Sequence, residues 1–138
     1  MKIFLDANIC LDLLDTTRPT SSKSVEWYLK HKDNQELDFY FSGDFITTFY
    51  YIMTEKRKYS PKDTLKSIDA LSGEIVPHYI NHSDFIGAKN DFLVDIFSDF
   101  EDLLILNSAN RLQCAKFITN DKKLLSLKSY SNIEITTP

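Results

Sequence analysis

Residues 98–121 read SDFEDLLILNSANRLQCAKFITND, and how this run is divided decides the fold. From about Asp99 to Ala115 the spacing is that of an amphipathic helix, and Leu106 and Ala109 extend its apolar face from Asp102. KFIT, residues 116–119, then reads as a short buried strand, with Asp121 just beyond it. Two accounts of the acids compete. Acids in a first helical turn oppose the helix dipole, and Ser98 with Glu101 fits a capping box. Alternatively, Asp99, Asp102 and Asp121 form a metal site, because an inward-facing carboxylate such as Asp102 needs a partner. Glu101 is assigned to the capping box, whereas Asp99 fits either role.

The same strand-then-acid pattern opens the chain. KIFL, residues 2–5, reads as a buried strand ending at Asp6. A short helix over Ile9–Leu14 follows, then a polar loop, then a second helix around Val25–Lys30 entered through Ser21 or Ser22 as N-cap. DFYFS, residues 38–42, is the next strand, and Phe45, Phe49, Ile52 and Met53 recur at helical spacing after it. Ser60, Pro61 and Asp63 start another helix. EIVP reads as a strand ended by Pro77, Ser83–Asn90 as a helix, DKKLLSL as a short helical piece and NIEIT as the last strand.

This alternation predicts a single domain over residues 1–138, an α/β/α sandwich with a mainly parallel sheet. Ligands bind such sheets outside the carboxyl ends of the strands. If KIFL and KFIT are parallel neighbours, Asp6 and Asp121 emerge on one edge, with Asp102 in the helix leading to the second strand. Oxygen ligands without nitrogen or sulfur suit Mg²⁺ or Mn²⁺. Asn8 either steadies Asp6 or caps the helix that it opens. Asp12, Asp15, Asp44, Asp95 and Glu55 are expected to be solvated or capping acids.

Composition narrows the remaining choices. The chain is 43% hydrophobic and 26% charged, as a globular domain is, and its net charge of −4 argues against a nonspecific coat for duplex DNA. No apolar run reaches the ~20 residues that span a bilayer, and acids interrupt the first apolar segment, so a cytosolic protein without a signal peptide is expected. Cys10 and Cys114 read as core residues, and the three histidines form no ligand pair. None of the glycines builds a P-loop or Rossmann loop.

FLDANICLDLL, YFSGDFITTFYYIMTEKRK, SDFEDLLILNSA and FITND, in that order, resemble the PIN-domain family of metal-dependent ribonucleases, most closely the branch of the VapC toxins. The resemblance spans nearly the whole chain. It implies a PIN-like α/β/α fold and an acidic pocket for Mg²⁺ or Mn²⁺. Residue by residue, the family's aspartates fall on Asp6, Asp102 and Asp121, with Thr119 at its hydroxyl position. Asp99 matches an extra acid of a branch with a DFED-like motif. Many relatives carry a glutamate in the third helix where this chain has Thr48, which cannot supply a carboxylate's charge.

The resemblance further implies hydrolysis of RNA by a cation-activated water, a small antitoxin protein as partner, and a homodimer. Arg18, Lys56, Arg57 and Lys122 are candidates for binding the RNA backbone. The competing reading is a PIN-like module that binds RNA or protein without cutting, and Thr48 is its best support. A dehalogenase-type phosphatase is disfavoured because Asn8 stands where its second aspartate belongs.

Overall fold

The computed structural model describes all 138 residues. In chain order the elements are β1 (Lys2–Leu5), α1 (Ala7–Leu14), α2 (Ser21–His31), β2 (Asp38–Ser42), α3 (Ile46–Tyr51), α4 (Pro61–Glu74), β3 (Val76–His78), α5 (His82–Leu93), α6 (Phe100–Arg111), β4 (Lys116–Ile118), α7 (Lys122–Leu127), β5 (Ser129–Tyr130) and β6 (Ile133–Thr136). The strands form one sheet in the order β3-β2-β1-β4-β6-β5. Every pairing is parallel except β5 with β6. The chain leaves β1 for β2 on one side, and later returns to place β4 on the other. β1 and β4 therefore flank the switch point of the sheet, where open α/β folds bind ligands.

Side chains alternate across the strands and divide the core in two. Ile3, Leu5, Phe39, Phe41 and Ile118 face one layer with Ile9, Tyr28, Phe49, Ile68 and Leu71 from α1 to α4. Phe4 and Phe117 face the opposite way, stacked with ring centroids 5.5 Å apart, among Ile105, Leu106, Ala109 and Leu124 of α6 and α7. Each fully buried side chain of this size contributes about 1.5–3 kcal/mol of hydrophobic stabilisation. The three-layer sandwich expected from the sequence is thus the one observed. No helix is long and apolar enough to cross a membrane.

Several local expectations are corrected. The cap of α6 is Asp99, not Ser98: its carboxylate accepts from the Asp102 amide at 3.3 Å, and Glu101 is exposed without closing a capping box. Neither Ser21 nor Ser22 caps α2. The helix already includes Ser21, whose hydroxyl donates to the Asp12 carbonyl, while the preceding Thr20 hydroxyl donates to the Asp12 carboxylate. The helix expected after β2 is divided into a 3-10 turn (Gly43–Phe45), α3 and a π turn (Ile52–Lys56). Pro77 lies inside β3, which tolerates its missing amide proton because β3 is an edge strand. Asn81 and Asp84 cap each other's backbone and start α5 at His82. The two-residue β5 has no apolar pattern from which to read it.

Candidate active site

Asp6 directly follows β1 and is the cap of α1. Its Oδ1 accepts from the Ala7 amide at 2.8 Å. Its Oδ2 accepts from the Thr119 hydroxyl at 2.7 Å and from the Asn8 side chain at 3.0 Å. Leu5 pairs with Ile118 in the β1–β4 register, so Asp6 and Thr119 are the first residues past the strand ends. Thr119, fully buried, also accepts from the Asp121 amide at 3.0 Å. Asp121 in turn caps α7, accepting from the Lys123 amide at 2.9 Å. Asn8 thus steadies Asp6 and leaves the helix cap to Asp6 itself.

Asp102 lies in the first turn of α6, directly after the Asp99 cap. Burial pushes its carboxyl up to about 7, and the negative charges of Asp99, Asp6, Asp121 and Glu101 push in the same direction. Burial likewise raises Asp6, against the opposing hydrogen bonds from Thr119, Ala7 and Asn8. None of the four aspartates is ion-paired, the chain's salt bridges being made by Arg18, Arg57, Arg111 and Lys116 elsewhere. A group of like charges at a strand edge with no cation of its own is a setting that a divalent ion neutralises.

The donor set fits that purpose: carboxylate, amide and hydroxyl oxygens, with neither thiol nor imidazole among them. The carboxylates are not clasped, however, and no three His, Cys, Asp or Glu side chains stand together as a ready-made ligand group. Asp6, Asp99 and Asp121 each commit one oxygen to a helix cap.

No family model matches the chain. It is 27% identical to ribonuclease VapC1 of Aquifex aeolicus over a 142-residue alignment that covers 99% of this chain and 90% of that protein. Among solved structures, VapBC-1 of nontypeable Haemophilus influenzae matches with a TM-score of 0.69 at 16% identity, covering 98% of this chain and 96% of its counterpart. Mycobacterium tuberculosis VapC20, described as a toxin that cleaves the sarcin-ricin loop, gives 0.69 at 10% identity over 96% and 98%. Rickettsia felis VapBC2, bound to a promoter DNA fragment, gives 0.67 at 14% over 99% and 98%.

The chain is VapC-like in sequence and in fold.

In this VapC-like frame, the structure sorts the other residues singled out above. Thr48 is exposed on α3 and makes no side-chain hydrogen bond, so nothing there replaces the missing glutamate. Lys56 and Lys122 are exposed, and Lys122 directly follows Asp121. Arg18 and Arg57 are already engaged: Arg18 pairs with Asp12 at 2.8 Å, and Arg57 with Asp15 at 2.9 Å. Asp44 and Asp95 are exposed, as is Glu55.

Asp12 and Asp15 are corrections: expected to be solvated or capping acids, both are buried and ion-paired. Within α1, Asp12 is buried together with Ile9, Cys10 and Leu11. Asn120, which the sequence did not mark, also belongs to this neighbourhood, donating to Asp12 at 3.2 Å.

Proposed function

We propose that this VapC-like chain is a Mg²⁺- or Mn²⁺-dependent endoribonuclease and the toxin member of a toxin–antitoxin pair. One observation carries the reading: acids from the ends of β1 and β4 and from the start of α6 gather at the sheet's switch point, uncompensated, with Asp102 pushed up to about 7. Similarity to a protein named as a ribonuclease supports the reaction class, and likeness to VapBC structures supports a small antitoxin as partner.

Asp6, Asp99, Asp102 and Asp121 would hold the ion. When bound, it supplies Lewis-acid charge to the attacked phosphate and brings the ionisation of water towards neutral pH. The protein's own groups do the rest. One carboxylate of the set accepts the proton of the attacking water. Thr119 and Asn8 fix the Asp6 carboxylate in one orientation. Lys56 and Lys122 are exposed cations for the RNA backbone. Attack of the water oxygen on phosphorus, with cleavage of the bond to the 3′ oxygen, leaves 5′-phosphate and 3′-hydroxyl ends.

The test is cleavage of a labelled RNA panel, including a sarcin-ricin stem-loop, by wild type and Asp102→Asn with Mn²⁺, Mg²⁺ or chelator. Metal-dependent cutting that falls at least ~100-fold in the variant supports the reading. A folded wild type that binds RNA and never cuts it overturns catalysis in favour of the binding-module account.

A further inference from the structure

Asp12 has no exposed surface and no part in the chemistry above, yet it is the most heavily hydrogen-bonded acid near the site. Its Oδ1 accepts from Arg18 Nε at 2.8 Å and from the Thr20 hydroxyl at 2.7 Å. Its Oδ2 accepts from the Ser24 hydroxyl at 2.5 Å and from Asn120 Nδ2 at 3.2 Å. Three of these donors come from the loop before α2 and from α2 itself. The fourth belongs to the turn between β4 and α7, the turn that carries Thr119 and Asp121.

From Asn120 the connection runs directly into the acids. The Asn120 backbone amide donates to Asn8 Oδ1 at 3.1 Å. Asn8 Nδ2 donates to Asp6 Oδ2 at 3.0 Å and to Thr119 Oγ1 at 3.1 Å. A side chain held at both ends has one orientation, and so do the groups that it orients. Helix capping needs none of this, since Asp6 and Asp121 cap α1 and α7 on their own.

We propose that Asp12 is a positioning residue of the acidic site, acting through Asn120 to hold the Thr119–Asp121 turn against Asp6 and Asn8. The structural claim stands alone, and its consequence for metal binding rests on the nuclease reading.

The experiment compares wild type, Asp12→Asn, Asn120→Ala and the double variant. Each is checked by thermal melting and then read three ways: NMR resonances without metal, Mn²⁺ affinity by calorimetry, and RNA cleavage. Asp12→Asn is expected to shift the side-chain amide of Asn120 and the backbone amides of Thr119 and Asp121, although they are distant in sequence. Mn²⁺ affinity should fall ~10-fold in either single variant. The double variant should lose little more, because both changes cut one connection, whereas two independent structural defects would add.

Unmoved Thr119 and Asp121 resonances in Asp12→Asn, or additive losses in the double variant, would overturn the proposal. If Asp12→Asn does not fold, Asn120→Ala decides, through the side-chain amide of Asn8 and the Mn²⁺ affinity. A wild type that neither binds Mn²⁺ nor cuts RNA defeats the nuclease reading, while the metal-free resonances still decide the positioning role.

Discussion

Thr119 donates its hydroxyl proton to Asp6 across the ends of β4 and β1, at 2.7 Å, while the same oxygen accepts from Asn8 and from the Asp121 amide. One buried hydroxyl therefore links a strand end, a helix opening and a turn. Thr119→Val keeps the shape and removes the oxygen, leaving the Asp121 amide without its acceptor, Asn8 with Asp6 alone, and Asp6 with two of its three donors. The expected cost is about 1–3 kcal/mol in urea unfolding. Mn²⁺ affinity should also fall. A variant as stable as wild type would mean that the three partners find water or one another instead.

Stability should depend on pH with opposite slopes on the two sides of an optimum. Burial works against ionised Asp15, but the Thr17 hydroxyl and amide, Arg57 and Tyr59 outweigh it and hold the carboxyl below its usual range. A depressed folded pKa gives stability that is present above the unfolded value of ~3.9 and lost as pH falls through the folded one. Asp102, at about 7, has the opposite sign: between ~3.9 and about 7 the folded state binds the extra proton, so stability falls as pH rises. Without metal, chemical denaturation should give an optimum on the acid side of neutrality and a decline towards pH 8, on the order of a few kcal/mol at most. Asp102→Asn or saturating Mn²⁺ should flatten the decline. A metal-free wild type equally stable at pH 5 and pH 8 would contradict it.

The sheet and its acids were legible in the sequence because each rests on a local pattern. KIFL and KFIT are short apolar runs, each followed closely by an acid, and parallel pairing does the rest. Asp12 and Asp15 were not legible, because their partners Arg18 and Arg57 come from a loop and a distant turn. The Asp99 cap was misplaced by one residue because Ser98, Asp99 and Glu101 all carry capping chemistry, and only the backbone at Asp99 decides among them. Asn120 was invisible for a further reason. Its meaning lies in a buried carboxylate, Asp12, that reads in sequence as a solvated or capping acid.

Asp15 offers a test of that correction. Arg57 is half exposed, so its charge is partly screened, and Asp15 keeps Thr17 and Tyr59 as donors when Arg57 is removed. Arg57→Ala should therefore cost only about 1–2 kcal/mol in thermal or urea unfolding. The loss should shrink as pH falls through the Asp15 pKa. An effect confined to RNA affinity, with stability unchanged, would return Arg57 to the substrate surface.

Where α5 crosses α6, a Cβ on Gly87 would lie 2.2 Å from the Asn107 side-chain oxygen. Asn107 cannot easily turn away, since its amide donates to Asp91 at 3.2 Å and to the Leu103 carbonyl at 2.8 Å. Alanine would gain up to ~1 kcal/mol in helix propensity, against an overpacking cost of about 1–3 kcal/mol. Gly87→Ala should thus be net destabilising, and Asn107→Ala should rescue part of the loss in the double variant. Equal melting temperatures for wild type and Gly87→Ala would show that the helices separate without cost.

Asp99 caps α6, and a pair of substitutions separates that role from the proposed role of metal ligand. It caps α6 through Oδ1, and its charge helps to raise Asp102. Serine caps a helix about as well as aspartate but carries no charge, whereas alanine does neither. Asp99→Ala should lose ~1 kcal/mol of stability, and Asp99→Ser only a few tenths. Both should lower the Asp102 pKa, read by NMR titration of its carboxyl, because one repelling neighbour is gone. If Asp99 is a ligand as well as a cap, both variants should lose Mn²⁺ affinity and cleavage to a similar extent despite their different stabilities. If Asp99→Ser keeps wild-type affinity and rate, Asp99 is a cap alone, and Asp6, Asp102 and Asp121 must hold the ion without it.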